Sequence, residues 1–350
     1  MIRRPLLYRH AIRSAIVFRA LDLGDMLCAV PALRALRLAL PDARIVLTGL
    51  PWAAQFARRF DAYVDEFLPF PGHPLLPEQA VRHDELTSYY AGICSQGFDF
   101  ALQLHGSADV TNHIVAGFGA RSMAGFTQGA AKQTARTLLL PALDGGTEPE
   151  RLLTLLARLG APDTGTQLEF PVRRDDIDEL EASKLAPDLE PGNYICIHPG
   201  ARKHDASWPP ERFAEVADEL KREFGFTTVL TGSPDEAPLA RTVARHMRTP
   251  ALEATEPMSI GAMAALMSRS RLLICGDTGV SHIAAGLGLS SVVVFSKADI
   301  ARWAPLDRMR HRCIWDPSAE RAAVVLQHAR ALLTGTEPSG QRATGMWPYW

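Results

Sequence analysis

Short apolar runs rich in Val, Ile and Leu alternate with helix-patterned stretches along nearly the whole chain, and this alternation leaves few folds open. The runs lie at 15–19, 44–47, 99–104, 194–198, 227–230, 272–275 and 291–295. Helical periodicity falls between them, near 26–40, 75–96, 148–160, 175–186, 210–224, 236–247, 259–269 and 280–288. A strand that is apolar on both faces must be covered on both, and the intervening helices supply the cover. The pattern predicts α/β domains built on doubly wound parallel sheets. Its clearest unit is "LLICGDTGVSHIAAGLGLSSVVVFSKA" at 272–298, which reads as strand, polar turn, small-residue helix and strand.

A chain of 350 residues is long for one such domain, and two is the natural expectation. The alternation restarts near Tyr194, after the polar, proline-bearing stretch "APDTGTQLEFPVRRDD" at 161–176. We therefore expect a boundary near residue 172, giving Rossmann-like domains at 1–172 and 173–335 and a tail at 336–350. The last helical pattern, 319–333, is compatible with either domain, and "SGQRATGMWPYW" at 339–350 reads only as a tail. Two such domains would face each other across a cleft lined by the carboxyl edges of their sheets. Ligands bind outside the carboxyl ends of parallel strands, so every strand-to-helix turn is a candidate site element.

With 37 basic and 39 acidic residues the formal net charge is −2, which gives no global attraction to nucleic acid. Basic residues do gather at Arg3, Arg4, Arg9, His10 and Arg13. That cluster reads either as a solvated tail or as a contact for anionic lipid or substrate. The cysteines at 28, 94, 196, 275 and 313 are odd in number and far apart, and Cys196 and Cys275 sit in apolar runs. The usage suits buried thiols in a reducing compartment, and no CxxC pair suggests a metal site. The first residues hold no apolar stretch of signal-peptide length, and no segment approaches membrane-spanning length. The expectation is a soluble cytoplasmic protein.

Four turns carry chemistry. The first, in "FRALDLGDMLCAVPALRAL" at 18–36, sets Gly24 for a tight turn and Asp25 at the start of a helix. Asp25 reads as an N-cap or as a carboxylate placed to accept a proton. No GxGxxG occurs there, so a dinucleotide fingerprint is missing. The second turn, "HPGARKHDASWPPERF" at 198–213, puts Arg202 and Lys203 beside Gly200, a setting suited to nucleotide phosphates or to a solvated loop. In the third, Gly232 and Ser233 precede Asp235 and Glu236; these carboxylates suit capping, and Glu236 also suits ribose hydroxyls. The fourth holds Gly276, Asp277, Thr278, Gly279 and His282. The amides of residues 278–280 at a helix N-terminus form a ready anion site, with His282 within the first turn.

Together these segments resemble glycosyltransferase family 9, the heptosyltransferases of lipopolysaccharide core assembly. The blocks are "LGDMLCAVPALRALRLALPDARI" at 23–45, "HPGARKHDASWPPERFAEVADEL" at 198–220, "TGSPDEAPLA" at 231–240 and "GDTGVSHIAAGLGLSSVVVFS" at 276–296. The resemblance implies a GT-B architecture, with acceptor on the N-terminal domain and nucleotide-sugar on the C-terminal one. It implies inverting, metal-independent transfer, usually from ADP-L-glycero-β-D-manno-heptose. It also implies a glycolipid or oligosaccharide acceptor and a peripheral contact with the inner face of the inner membrane. Asp25 matches the catalytic base, with Gly24 and His105 on the acceptor side. Asp277, Thr278, Gly279 and His282 match the donor block, and Glu236 matches a donor ribose contact. One departure is Ala206, where several members carry Lys or Arg; Arg202 and Lys203 are the nearby substitutes. If Asp25 is only structural, His105 and Asp109 are the next candidates for the base. Two alternatives share the fold: a nucleotide-sugar 2-epimerase, and a non-catalytic nucleotide-binding scaffold.

Overall fold

The computed structural model describes residues 4–106, 109–200 and 208–335, and its internal contacts divide the chain into two compact units after Leu168.

The first unit begins with β1 (Ser14–Phe18), α1 (Leu23–Cys28), α2 (Val30–Ala39) and β2 (Arg44–Gly49). There follow α3 (Ala54–Arg59), β3 (Glu66–Pro69), α4 (His83–Gln96), β4 (Phe100–Gln103) and α5 (Asp109–Ala116). It closes with β5 (Ser122–Thr127), β6 (Lys132–Gln133), β7 (Thr137–Pro141) and α6 (Glu148–Leu159). The strands lie in the order β3-β2-β1-β4-β5-β7-β6, all parallel except the antiparallel edge pair β6–β7. Ile16, Phe18, Val46, Phe98, Ala101 and Phe118 form a core under this sheet.

The second unit runs α7 (Arg174–Glu181), β8 (Tyr194–His198), α8 (Pro210–Phe224), β9 (Thr227–Thr231) and α9 (Ala237–His246). It continues with β10 (Ala251–Ala254), α10 (Ile260–Ser268), β11 (Leu273–Gly276), α11 (Gly279–Leu287) and β12 (Ser291–Phe295). It ends with α12 (Ile300–Trp303), β13 (His311–Trp315) and α13 (Ala322–Thr334). Its strand order is β10-β9-β8-β11-β12-β13, and every described pair is parallel. Both sheets thus follow the doubly wound order 3-2-1-4-5-6, with a hairpin edge added to the first.

All seven apolar runs are strands. The sequence reading passed over β3, β10 and β13, which are edge strands with one neighbour and less need of apolar cover. It also missed β5 and β7, where Gly125 and the flanking polar residues dilute the pattern. The helix expected over 26–40 is two helices broken at Ala29, and the helix expected from 75 begins at His83. The expected burial of the thiols holds for Cys28, Cys196 and Cys275, whereas Cys94 is exposed and Cys313 partly so.

One further reading changes. The described part of the basic N-terminal segment is not a solvated tail. Leu6 and Leu7 are buried, and the Arg9 guanidinium donates to the Thr134 and Ala135 carbonyls. The stretch after α6 is likewise tied down. Within the first unit Arg34 Nη2 donates to the carbonyls of Thr164, Gly165 and Gln167. Within the second, the Phe170 amide donates to the Gly286 carbonyl at 3.2 Å.

Gly286 provides a test of that second anchor. A Cβ there would lie 2.8 Å from the Glu169 carbonyl carbon and 2.9 Å from the Phe170 nitrogen, against backbone that cannot swing away. Gly286→Ala should therefore destabilise the protein by about 1–3 kcal/mol, as overpacking does. Urea denaturation measures it, and an unchanged midpoint would show that residues 169–170 are free to move aside.

Candidate functional site

The site candidates follow from sheet topology. Each sheet reverses its winding once, between β1 and β4 in the first unit and between β8 and β11 in the second. At such a point the two turns leave toward opposite faces and open a crevice at the carboxyl edge. Asp25 follows β1 and His105 follows β4; Gly200 follows β8 and Asp277 follows β11. Residues singled out from sequence thus flank both reversal points.

In the first unit the turn after β1 leads into α1. Asp22, not Asp25, is the N-cap residue, with extended φ −77° and ψ 174°. Asp25 is the third residue of the helix, half-buried, and Gly24 is the second. The backbone leading into α1 is held at both ends. The Ala20 amide donates to His105 Nδ1 at 3.1 Å, and Arg19 Nε and Nη2 donate to the Asp25 carbonyl at 3.0 and 2.7 Å. Because Nδ1 accepts, the neutral His105 ring carries its proton on Nε2, which faces Glu78 Oε1 at 3.6 Å. The ring stacks on Phe18 with centroids 5.2 Å apart. Burial, and then the nearby Arg19 charge, push the His105 pKa down to about 4. At neutral pH His105 is uncharged. Asp109, the other substitute base, lies exposed in the first turn of α5.

The sequence reading missed Arg19, Glu148 and Glu78. Arg19 ends an apolar run and looks like a strand's solvated end, yet it is 1% exposed and pairs with Glu148 at 3.2 Å. Its partner is 129 residues away, and no local pattern announces that contact.

In the second unit three turns come together. The carboxylate of Glu236 is divided between two settings. Its Oε2 accepts from the Ser233 amide at 2.8 Å and from the Ser233 hydroxyl at 3.0 Å, closing a capping box. Its Oε1 lies 3.8 Å from His198 Nε2. Gly200 sits directly against this pair: a Cβ there would lie 2.6 Å from Glu236 Cδ and 2.8 Å from His198 Nε2. His198 is buried, shares a 3.2 Å hydrogen bond with the Thr231 hydroxyl, and is held below its usual pKa by burial, against the pull of Glu236. Gly232 lies under the Glu236 stem, its own Cβ position 3.2 Å from Glu236 Cβ.

The turn after β11 adjoins these groups, with the Gly276 Cβ position 3.8 Å from the Gly200 carbonyl oxygen. Thr278 is the N-cap of α11, and its hydroxyl accepts from the Val280 amide at 3.3 Å. Val280 N–H is therefore satisfied within the helix, which narrows the expected amide cluster to residues 278 and 279. Asp277, Thr278 and Gly279 are half-buried, while His282 is 5% exposed. Burial, and then the nearby His311, push the His282 pKa down to about 4. Arg202, Lys203 and Ala206 lie outside the described residues. Trp208, just beyond them, is anchored by donating from Nε1 to Asp316 Oδ2 at 2.9 Å and by an edge contact with Phe213. Among the described residues, no group of three or more His, Cys, Asp or Glu side chains is placed to hold a metal ion.

Comparison with known proteins puts this arrangement in context. The family model "Glycosyltransferase family 9 (heptosyltransferase)" matches residues 87–329. A lipopolysaccharide heptosyltransferase 3 of Escherichia coli is 29% identical over 180 residues, 48% of this chain and 50% of its own length. The chain thus spans about half the length of the curated relatives it matches. Among solved structures, a family 9 glycosyltransferase from Veillonella parvula aligns with TM-score 0.79 at 20% identity, over 93% of this chain and 98% of its own. The E. coli ADP-heptose lipopolysaccharide heptosyltransferase II gives TM-score 0.73 at 19% identity, over 92% of this chain and 99% of its own.

The buried imidazoles make stability depend on pH in a defined sense. His105, His282 and His311 are each pushed down to about 4 by burial, whereas an unfolded histidine titrates near 6.5. The neutral rings stabilise the fold fully above about pH 6.5, and that contribution is lost as pH falls from there toward about 4. Thermal melts should show Tm already falling between about pH 6.5 and 5, where most carboxylates remain ionised. A flat Tm across that window would mean the three rings take up protons without cost.

Proposed function

Because the chain belongs to glycosyltransferase family 9, we propose that it moves a heptose from an ADP-linked donor to a lipopolysaccharide-core or related surface-glycan acceptor. The transfer inverts the anomeric centre and uses no metal. The observation that carries the proposal is the coincidence of sequence blocks with topology. A carboxylate and a histidine flank the reversal point of one sheet, and a glycine turn with an Asp-Thr-Gly helix start flanks that of the other.

In this reading the acceptor hydroxyl attacks the anomeric carbon, a new C–O bond forms, and the bond to the diphosphate breaks with its electrons leaving on ADP. Asp25 takes the hydroxyl proton as general base. The positive end of α11, beginning at Gly279, offsets charge on the departing diphosphate. Arg202 and Lys203 add cations in the segment just after Gly200. Glu236 Oε1, the oxygen facing His198 and Gly200, receives the donor ribose hydroxyls, with Gly232 keeping its stem in place. His282, a neutral ring within α11, is a further donor-binding residue, and His105, also neutral, lies on the acceptor side with Gly24. No helix among the described residues is long and apolar enough to cross a membrane. In this reading, contact with a glycolipid acceptor is peripheral, at the inner face of the inner membrane from the cytoplasm, as the family resemblance implies.

Asp25→Asn tests the reading. Asn cannot accept the proton, and general-base catalysis contributes ~10²–10⁴-fold. With ADP-heptose as donor and deacylated lipopolysaccharide core as acceptor, turnover should fall by that range. Asp22, not Asp25, is the helix N-cap, so the free energy of unfolding should change little, by the ~0.3–1 kcal/mol of one first-turn charge. The ADP dissociation constant should be unchanged. Near-normal turnover in the folded variant would remove Asp25 as the base. Separately, release of ADP should persist in EDTA. Its abolition by EDTA and restoration by magnesium or manganese would refute metal-independent transfer.

A further inference from the structure

We propose that Arg19 and Glu148 are positioning residues that form a buried bracket setting the place of Asp25; the proposal rests on the reading of Asp25 as base. Arg19 follows β1 directly, and its own backbone is fixed first. Its amide donates to the Thr48 carbonyl at 3.0 Å, and Gly49 leaves room beside it, since a Cβ there would run into the Arg19 carbonyl oxygen. The guanidinium then gathers three other elements. Nη1 donates to the Leu104 carbonyl beyond β4, Nη2 to Glu148 Oε1 at the start of α6, and Nε with Nη2 to the Asp25 carbonyl in α1.

The two-point grip on one carbonyl matters. A planar guanidinium holding an oxygen through two nitrogens fixes direction as well as distance, which an ammonium cannot do. The helix itself is altered to allow it. The Asp25 carbonyl would ordinarily accept from the amide four residues on, that of Ala29. That amide instead bonds to the Met26 carbonyl at 3.1 Å, and α1 ends at Cys28. Arg19 thus replaces an intrahelical hydrogen bond at the residue whose side chain must meet the acceptor. Glu148, with its side chain 6% exposed, neutralises the buried cation. A buried ion pair is rarely the most stabilising choice for such a space, and its best-attested use is to specify one arrangement. Arg19 is itself 1% exposed and each of its three guanidinium nitrogens is hydrogen-bonded within the protein, so it is placed to hold the turn and not to meet a substrate.

The test is a double-mutant cycle on the full chain, with ADP-heptose and deacylated lipopolysaccharide core as the probes. Arg19→Lys keeps the charge beside Glu148 and loses the two-point grip. Turnover should fall by on the order of 10²-fold, as for a misplaced reacting group, while the ADP dissociation constant stays the same. In the Asp25→Asn background Arg19→Lys should cost nothing further, because the group it positions is already gone. Full additivity would show that Arg19 acts only on structure and would overturn the proposal. Normal turnover in Arg19→Lys, with Asp25→Asn impaired, overturns the bracket alone. Normal turnover in Asp25→Asn overturns the base reading and the bracket with it. If Arg19→Lys does not fold, Glu148→Gln decides by the same cycle, since it keeps an oxygen for Nη2 and removes the neutralising charge.

Discussion

A parallel strand cannot return beside its neighbour without crossing a face of the sheet, and almost everything in this protein follows from that restriction. Apart from the step from β5 to β7 through β6, the crossings are made by helices, each helix covers one face, and both faces must be covered because the strands are apolar on both sides. To cover both, the chain must change direction once in each sheet. The change falls between β1 and β4 and again between β8 and β11. The fold thereby leaves a crevice at the carboxyl edge of each sheet, and Arg19, His105, His198 and Glu236 stand there.

Polar groups at these edges are held by ties of long range. Ala20 is tied to His105, and Arg19 to Leu104 and Glu148. In the second unit Thr231 meets His198 and Trp208 meets Asp316, whose other carboxylate contacts receive the Glu320 and Arg321 amides. Such groups lie in low-dielectric surroundings, where a satisfied polar network is rigid and a broken one is costly. Asp316 shows the scale of dependence: one carboxylate fastens an indole, the turn after β13 and the approach to α13.

Central strands and the long amphipathic helices were legible because their patterns are local and strong: α8 matches its expected bounds, and β12 does likewise. Edge strands such as β10, "ALEA", carry no continuous apolar run, since only one neighbour and one packed face define them. The site was legible to the same depth. Asp25, Glu236 and Asp277 stood out because each sits at a glycine-marked turn next to an apolar run. Their actual settings were not. That Asp22 caps α1 depends on backbone angles, and the burial of Arg19 depends on a partner in a distant helix. Sequence periodicity reports which face a residue is on; it does not report what meets it there.

The divided carboxylate of Glu236 has a consequence for how this chain can diverge. One oxygen is bolted to Ser233 and the other reaches to His198, so the stem between them has a required length. An aspartate, one methylene shorter, closes its turn only by withdrawing from the imidazole. Gly200 shares the restriction, because a side chain there takes the carboxylate's seat. Drift at either position alone opens a gap or a collision, and the two should covary across descendants of this sequence as a matched pair.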